Sequence, residues 1–381
     1  MKILVLHNKY KIRGGEDSVF ETEVELLKRR GNLVETVVFS NDSIVGLQGK
    51  LRALMGITNN TASLTMLEGQ IAKFEPDVIH VHNFFPLLSP GVFTLAKKLN
   101  IPIVFTVHNY RLLCPSALLM RDGSPCEACL KKPFAWKAVM YKCYRDSYLE
   151  TFALSYMNYS HNVQGTWRNS VSRYIVLSNF AKSKFLESSL NIPEQKLVVK
   201  SNFVEDRGYS HDRSNRFLFV GRLSEEKGIQ TLLDAFIGSE YSLDIIGGGP
   251  QEKEVAALAL GHGNIDYLGF QNSSFVLNAM KQCKALVFPS IWYEGMPMTI
   301  LEAFSTGCPV IASNIGVMAS LIEHDNTGLL FEAGDSEALR CQLNCVTEQM
   351  SFSARDEYVK RYTPEANYVQ LMKIYNEAMN E

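Results

Sequence analysis

The strongest constraint on this chain is a repeating order of short β-rich runs and helical stretches that holds from end to end. In the first half the runs are Lys2–His7, Leu33–Ser40, Val78–His82, Ile103–His108 and Tyr174–Ser178. In the second they are Phe217–Val220, Ser242–Ile246, Ile265–Gly269, Ala285–Pro289 and Pro309–Ser313. Several are apolar on both faces, a pattern suited to strands of a parallel sheet covered by helices on each side. The order predicts an α/β protein with doubly wound, Rossmann-like sheets.

Between Val204 and Arg216 the pattern lapses into the polar stretch EDRGYSHDRSNR, which divides the chain at 203/204. At 381 residues, and roughly 150 residues per domain, two domains are expected, 1–203 and 204–363. The closing segment, 364–381, has apolar residues at helical spacing after a Thr-Pro start and is expected to pack back on the first domain. Ligands of parallel sheets collect outside the carboxyl ends of the strands, so a cleft between two facing lobes is the expected site.

A net charge of −2 gives no reason to expect nucleic acid as a partner. No apolar run approaches the roughly 18 residues needed to cross a bilayer, and MKILVLHN reads as a first strand rather than a signal peptide. A cytoplasmic location is expected, where the eight cysteines are thiols or metal ligands rather than disulfides.

The chemistry-bearing motifs concentrate in the second half. Strand Phe217–Val220 runs into GRLSEEKG, where Gly221 allows a tight turn and Arg222 and Lys227 bring two cations to the strand end. With backbone N–H groups they suit a diphosphate, although the same residues also suit a solvated loop. Gly247, Gly248 and Gly249 then allow close backbone approach to a ligand, or simply a turn. Next comes EGMPMTILE. Glu294 lies in a polar loop, a helix begins near Pro297 or Met298, and Glu302 follows within its first turns. Two carboxylates placed this way accept hydrogen bonds from vicinal hydroxyls, while the helix N-terminus favours phosphate.

GRLSEEKG, GGGP and EGMPMTILEAFSTGCPVIAS, in this order and spacing, resemble the donor half of the retaining family 4 glycosyltransferases, which have the GT-B fold. The resemblance implies that Arg222 and Lys227 contact the diphosphate of a UDP- or GDP-sugar. It implies that Glu294 touches the transferred sugar, that Glu302 holds the ribose, and that backbone around Gly295, Met296, Pro297, Met298 and Thr299 lines the site. Gly221 and Gly248 belong to the same donor set, and the stretch 264–272 falls where the nucleobase is held. In the first half, Arg13-Gly14-Gly15-Glu16 is a glycine turn opening a helix. The resemblance places Gly14 and Gly15 against the donor phosphate. His108, in FTVHNY, matches a histidine that stabilises the transition state. Where many relatives have His-Asp this chain has His-Asn, which puts carboxylate help from Asn109 in doubt. His82, with Asn83 and Asn109, is assigned to the acceptor, and His80 shares a strand face with His82.

Cys114, Cys126, Cys129 and Cys143 cluster around a Cys-x-x-Cys knuckle, a set that fits either a structural zinc or packed thiols. No Asp-x-Asp is present to hold a catalytic metal on a diphosphate, so no cofactor is expected and Arg222 and Lys227 would neutralise that charge. The segment 131–145 interleaves lysines with aromatics and lacks acids, which suits either an anionic membrane surface or a helix whose lysine stems cover apolar neighbours. Membrane contact would accord with a glycan or lipid-linked glycan acceptor in bacterial surface polysaccharide synthesis. Two other readings share the architecture: a nucleotide-sugar epimerase and a catalytically silent sugar-nucleotide-binding protein. A nicotinamide-dependent oxidoreductase lacks its G-x-G-x-x-G after the first strand.

Overall fold

A computed structural model describes residues 1–11 and 14–381. The strands in chain order are β1 (Lys2–Lys9), β2 (Leu33–Ser40), β3 (Val78–Val81), β4 (Ile103–Val107), β5 (Met120–Arg121), β6 (Ser124–Pro125), β7 (Arg173–Val176) and β8 (Leu197–Val199). They continue with β9 (Arg216–Val220), β10 (Ser242–Ile246), β11 (Ile265–Tyr267), β12 (Ala285–Phe288), β13 (Val310–Ser313) and β14 (Gly328–Phe331). Two six-stranded parallel sheets result, ordered β2-β1-β3-β4-β7-β8 and β11-β10-β9-β12-β13-β14, with β5 and β6 forming a small antiparallel hairpin. This is the doubly wound α/β class expected from the alternation.

The chain divides into two compact units. The first holds Met1–Leu119, Cys126–Ser201 and Asn367–Glu381; the second holds Met120–Pro125 and Asn202–Ala366. Strand order reverses between β1 and β3 in the first sheet and between β9 and β12 in the second. Those are the two switch points at which loops diverge and ligands fit.

Helix Gly15–Arg29 shows how the first unit is built. Glu16 and Asp17 in its first turn and Lys28 and Arg29 in its last complement the helix dipole. Its inner stripe buries Val19, Phe20, Glu23, Val24, Leu26 and Leu27. Glu23 is a carboxylate in an apolar row and therefore requires a buried partner. Lys200, 2% exposed, supplies it at 2.8 Å. The closing helix Pro364–Met379 sends Leu371, Ile374, Tyr375 and Ala378 into the same core as Ile3, Val5, Phe20 and Val104. In the second unit Phe217, Phe219, Leu232, Phe236, Ile245 and Ile311 form the corresponding core.

Three elements depart from the expected list. Strands β8 and β14, at the edges of the two sheets, and the hairpin of two-residue strands were not on it. The strand ends also shift. His82 and His108 each lie one residue beyond their strands, in the loops rather than in the ladders.

Removing the buried Leu371 side chain should therefore act on the first unit's core. Leu371→Ala is expected to lower unfolding free energy by about 2–5 kcal/mol in urea titration. Val369→Ala, at a position 60% exposed on the same helix, should stay within about 0.5 kcal/mol.

Candidate active site

In the second unit, the chain leaves β9 at Val220 and turns through Gly221 and Arg222 into the short turn Glu225–Lys227. Gly228 follows at φ +70°, and a Cβ there would lie 1.9 Å from the carbonyl oxygen of Pro289. Only glycine lets the loops after β9 and β12 come this close. Gly221 N–H donates to Ile246 O at 3.1 Å, and Leu223 N–H to Gly248 O at 3.0 Å. Gly247, at φ +143°, would place a Cβ 1.8 Å from Gly221 O. The loops after three neighbouring strands are thereby laced together through backbone.

Lys227 and Glu294 meet at this switch point. The Lys227 ammonium donates to Glu294 Oε1 at 2.7 Å, and the Ser290 hydroxyl donates to the same oxygen at 2.8 Å. Lys227 also lies over the rings of Phe288 and Trp292 at 5.6 and 5.5 Å. Glu294 is buried, whereas Arg222 is exposed. Helix Met298–Ser305 starts after Pro297, whose extended backbone makes no side-chain cap. Gly295, Met296, Pro297, Met298 and Thr299 form the approach to it, and Met298 Sδ accepts from Asn202 at 3.5 Å. Glu302 lies on the fifth residue of this helix. Burial raises its carboxyl above the usual range, opposed by Arg207. Beyond β11, Phe270 is 86% exposed at the strand's carboxyl end. Asn264 at the other end is consumed by the carbonyls of Phe236 and Tyr241 at 2.9 and 2.8 Å, so it holds the fold.

In the first unit the corresponding loops follow β1, β3 and β4. Gly14 caps helix Gly15–Arg29, and its N–H donates to Asp17 Oδ2 at 2.8 Å. The other Asp17 oxygen lies 2.7 Å from His7 Nε2. Arg13 lies outside the described residues. His82 Nδ1 lies 3.0 Å from His108 Nε2 with the rings stacked. Both border a small pocket also lined by Asn83, Phe85, Asn109 and Arg111. Burial, reinforced by His82, pushes His108 well below the ordinary histidine range, so it is neutral near pH 7. His80 is turned inward, with Tyr375 Oη 2.7 Å from Nδ1 and Thr106 Oγ1 2.8 Å from Nε2.

Asn83 and Asn109 have a shared target that the motifs did not reveal. Asn83 donates to Glu16 Oε1 at 3.0 Å and Asn109 to Glu16 Oε2 at 3.2 Å. Burial raises the Glu16 carboxyl to about 7, with Arg111 opposing. A carboxyl that titrates near neutrality against Asn109, the residue after the site histidine, is a candidate for proton transfer. The last residue of RGGE was the available signal, since a carboxylate one step inside a glycine turn sits at a helix start.

Among the described residues, Glu23, His80 and His82 are the one group of three His, Cys, Asp or Glu whose ligating atoms all lie within 4.8 Å. The Lys200 ammonium already occupies the other oxygen of Glu23, so a divalent ion would meet a fixed positive charge. None of the eight cysteines is joined in a disulfide. Cys129 is raised to about 11 by burial, with Cys114, Cys143 and Cys126 adding to the effect. Cys283 and Cys308 are buried 3.3 Å apart.

The family model described as glycosyl transferases group 1 matches residues 204–365, and that of glycosyltransferase family 4 matches residues 21–207. D-rhamnosyltransferase WbpZ of Pseudomonas aeruginosa is 33% identical over 157 residues, 39% of this chain and 41% of that protein. The chain thus matches about two fifths of that relative's length. The uncharacterized glycosyltransferase MJ1178 of Methanocaldococcus jannaschii is 23% identical over 393 residues, 99% of this chain and 98% of its own. Among solved structures, HepE of Anabaena in complex with UDP superposes with TM-score 0.70 at 18% identity, covering 99% of this chain and all of that one. With two family models together spanning residues 21–365 and a full-length likeness of fold, the chain belongs to the family 4, group 1 glycosyltransferases of the GT-B fold.

Proposed function

We propose that the protein transfers a sugar from a nucleoside-diphosphate-sugar to an acceptor hydroxyl with retention of anomeric configuration. The observation that carries this reading is the Lys227–Glu294 pair at the switch point of the second sheet, beside an exposed Arg222. A diphosphate is the stronger ligand for Lys227. On donor binding it draws the ammonium away and leaves Glu294 free to accept sugar hydroxyls. Arg222, Lys227 and the N-terminus of helix Met298–Ser305 then stabilise charge as it builds on the leaving diphosphate. Glu302 takes the ribose hydroxyls, and the Phe270 ring offers a face on which a nucleobase stacks. Gly14, Gly15 and His108 complete the donor contacts, and His82, Asn83 and Asn109 border the acceptor. The reaction needs no metal in this reading, because two cations and a helix dipole supply the counter-charge.

The acceptor proposed is a glycan or lipid-linked glycan. HepE was solved with UDP, and the WbpZ and O-antigen chain mannosyltransferase C relatives are named for sugar transfer. No helix among the described residues is long and apolar enough to cross a membrane. Contact with an anionic bilayer is instead proposed through 131–145 and the helix Tyr148–Val163. Trp136, Met140, Leu149, Phe152 and Tyr156 are exposed there beside Lys131, Lys132 and Lys137.

A thermal-shift panel of UDP-, GDP- and ADP-sugars tests the donor assignment, with one nucleotide class expected to stabilise the protein. The double variant Arg222→Ala/Lys227→Ala should lose that stabilisation and calorimetric binding of the matching diphosphate. Undiminished binding would end the assignment. Vesicle flotation should show retention on vesicles containing phosphatidylglycerol and release by Phe152→Glu, with phosphatidylcholine vesicles binding weakly. Glu16 gives a pH test. Its folded carboxyl titrates near 7 and its unfolded one near 4.5. The native state therefore binds more protons between those values, and stability contributed by this group falls as pH rises from about 4.5 to 7. Glu16→Gln should flatten that slope in denaturant titrations at pH 5 and 8, and an unchanged slope would remove Glu16 from this role.

A further inference from the structure

We propose that Glu23, Lys200 and His82 are positioning residues that fix the tautomer of His108, placing its proton on Nε2 and leaving Nδ1 as a hydrogen-bond acceptor for a ligand hydroxyl. The functional meaning of this arrangement rests on the transfer reaction proposed above; the tautomer itself does not.

The chain of contacts begins in the core. Lys200 Nζ donates to Glu23 Oε2 at 2.8 Å and to Asn367 Oδ1 at 3.2 Å, and both members of the ion pair are 1–2% exposed. Burial alone would raise Glu23, but the Lys200 ammonium and the His82 and His80 contacts outweigh it and hold the carboxyl well below its usual range. Glu23 is thus an acceptor at both oxygens. Its Oε1 lies 3.2 Å from His82 Nε2. Both atoms are buried, the contact between them is not a well-aligned hydrogen bond and neither makes one elsewhere; His80 Nδ1 lies 3.3 Å from the same oxygen. A lone pair on His82 Nε2 would face the carboxylate and repel it, so the proton of His82 belongs on Nε2.

The rest follows by elimination. With that proton on Nε2, and Lys200 already balancing the charge of Glu23, the proposal leaves His82 only a lone pair at Nδ1. That lone pair lies 3.0 Å from His108 Nε2, which must therefore carry the proton. His108 is neutral, so its Nδ1 is bare. No described residue hydrogen-bonds to that atom, and His108 borders the pocket lined by Asn83, Phe85 and Arg111. An acceptor nitrogen there selects ligands that present an O–H and disfavours those presenting a second acceptor. The ion pair also explains why a charged pair is buried in the first core. It orients a proton two residues away.

Nitrogen-15 NMR of histidine-labelled protein, with each resonance assigned by single His→Gln variants, reads the tautomer directly in the free protein. The wild type is expected to show His108 protonated at Nε2 and bare at Nδ1. A proton on Nδ1, from the reverse relay or from an imidazolium at His82, overturns the proposal. Glu23→Gln supplies the sharper test. Lys200 can only donate and would claim the amide oxygen, turning the amide N–H toward His82 Nε2. The relay then reverses and the His108 proton moves to Nδ1. Should Glu23→Gln fail to fold, His82→Phe removes the acceptor and should give a mixture of His108 tautomers. An unchanged His108 signature in either folded variant also overturns the proposal. With the donor identified by the nucleotide-sugar panel, Glu23→Gln should lower kcat at least tenfold while KM stays within about threefold. If no transfer is found with any donor while the tautomer is as stated, the reaction assignment fails and the positioning role stands.

Discussion

A fully parallel sheet covered on both faces gives polar side chains one place to converge, the loops past the carboxyl ends of its strands. Most of the expected site residues obey that constraint. Gly14 and Glu16 follow β1, His82 and Asn83 follow β3, and His108 and Asn109 follow β4. Arg222 and Lys227 follow β9, the glycine run follows β10, and Glu294 follows β12. Mid-strand, Ile79, Val81, Val104 and Phe105, like Phe217, Ile245 and Val287, serve as core, and polar residues there such as His80 and Thr106 are spent on buried partners. Chemistry at the strand ends is thus a by-product of burying both faces.

Each unit has a lysine–glutamate pair near its switch point, and the difference in access separates their roles. Lys200 and Glu23 are each 2% exposed at the side chain, so breaking that pair leaves an uncompensated buried charge at a cost of about 3–5 kcal/mol. It has no route to exchange partners and is suited to orientation. Lys227 and Glu294 are 20% and 8% exposed. The lysine there can be drawn to an incoming anion at far smaller cost, because solvent and ligand both reach it. Similar contact distances, 2.8 and 2.7 Å, therefore serve a fixed and an exchangeable purpose.

The class of fold was legible because apolar runs such as KILVL and ALVF announce buried parallel strands without tertiary information. The motifs proposed to hold the donor could be located because glycine, arginine, lysine and proline stand at fixed offsets from those runs. Strands β8 and β14 were not legible, although LVV and GLLF are as apolar as ALVF; each pairs on one side only, at a sheet edge, and nothing local marks that place. Glu23 was hidden for a different reason. On an amphipathic pattern it reads as one polar residue of a helix, and only its contact with Lys200, 177 positions away, reveals a buried charge. His80 and His82 could be placed on a common side, but which one faced the pocket depended on Tyr375 arriving from the far end of the chain.

The asparagine at position 109 follows the same logic. Its amide donates to Glu16 at 3.2 Å while its carbonyl accepts from Arg111 N–H at 3.1 Å. An aspartate in that place would set a second carboxylate against Glu16, raising one or both of their pKa values and breaking the clamp. The carboxylate against Asn109 is supplied instead from the helix start after β1, where two asparagine amides and Arg111 hold it. An amide at 109 is therefore what permits an acid at 16, and a protonation state that changes near neutrality lies on Glu16 rather than on the residue next to the histidine.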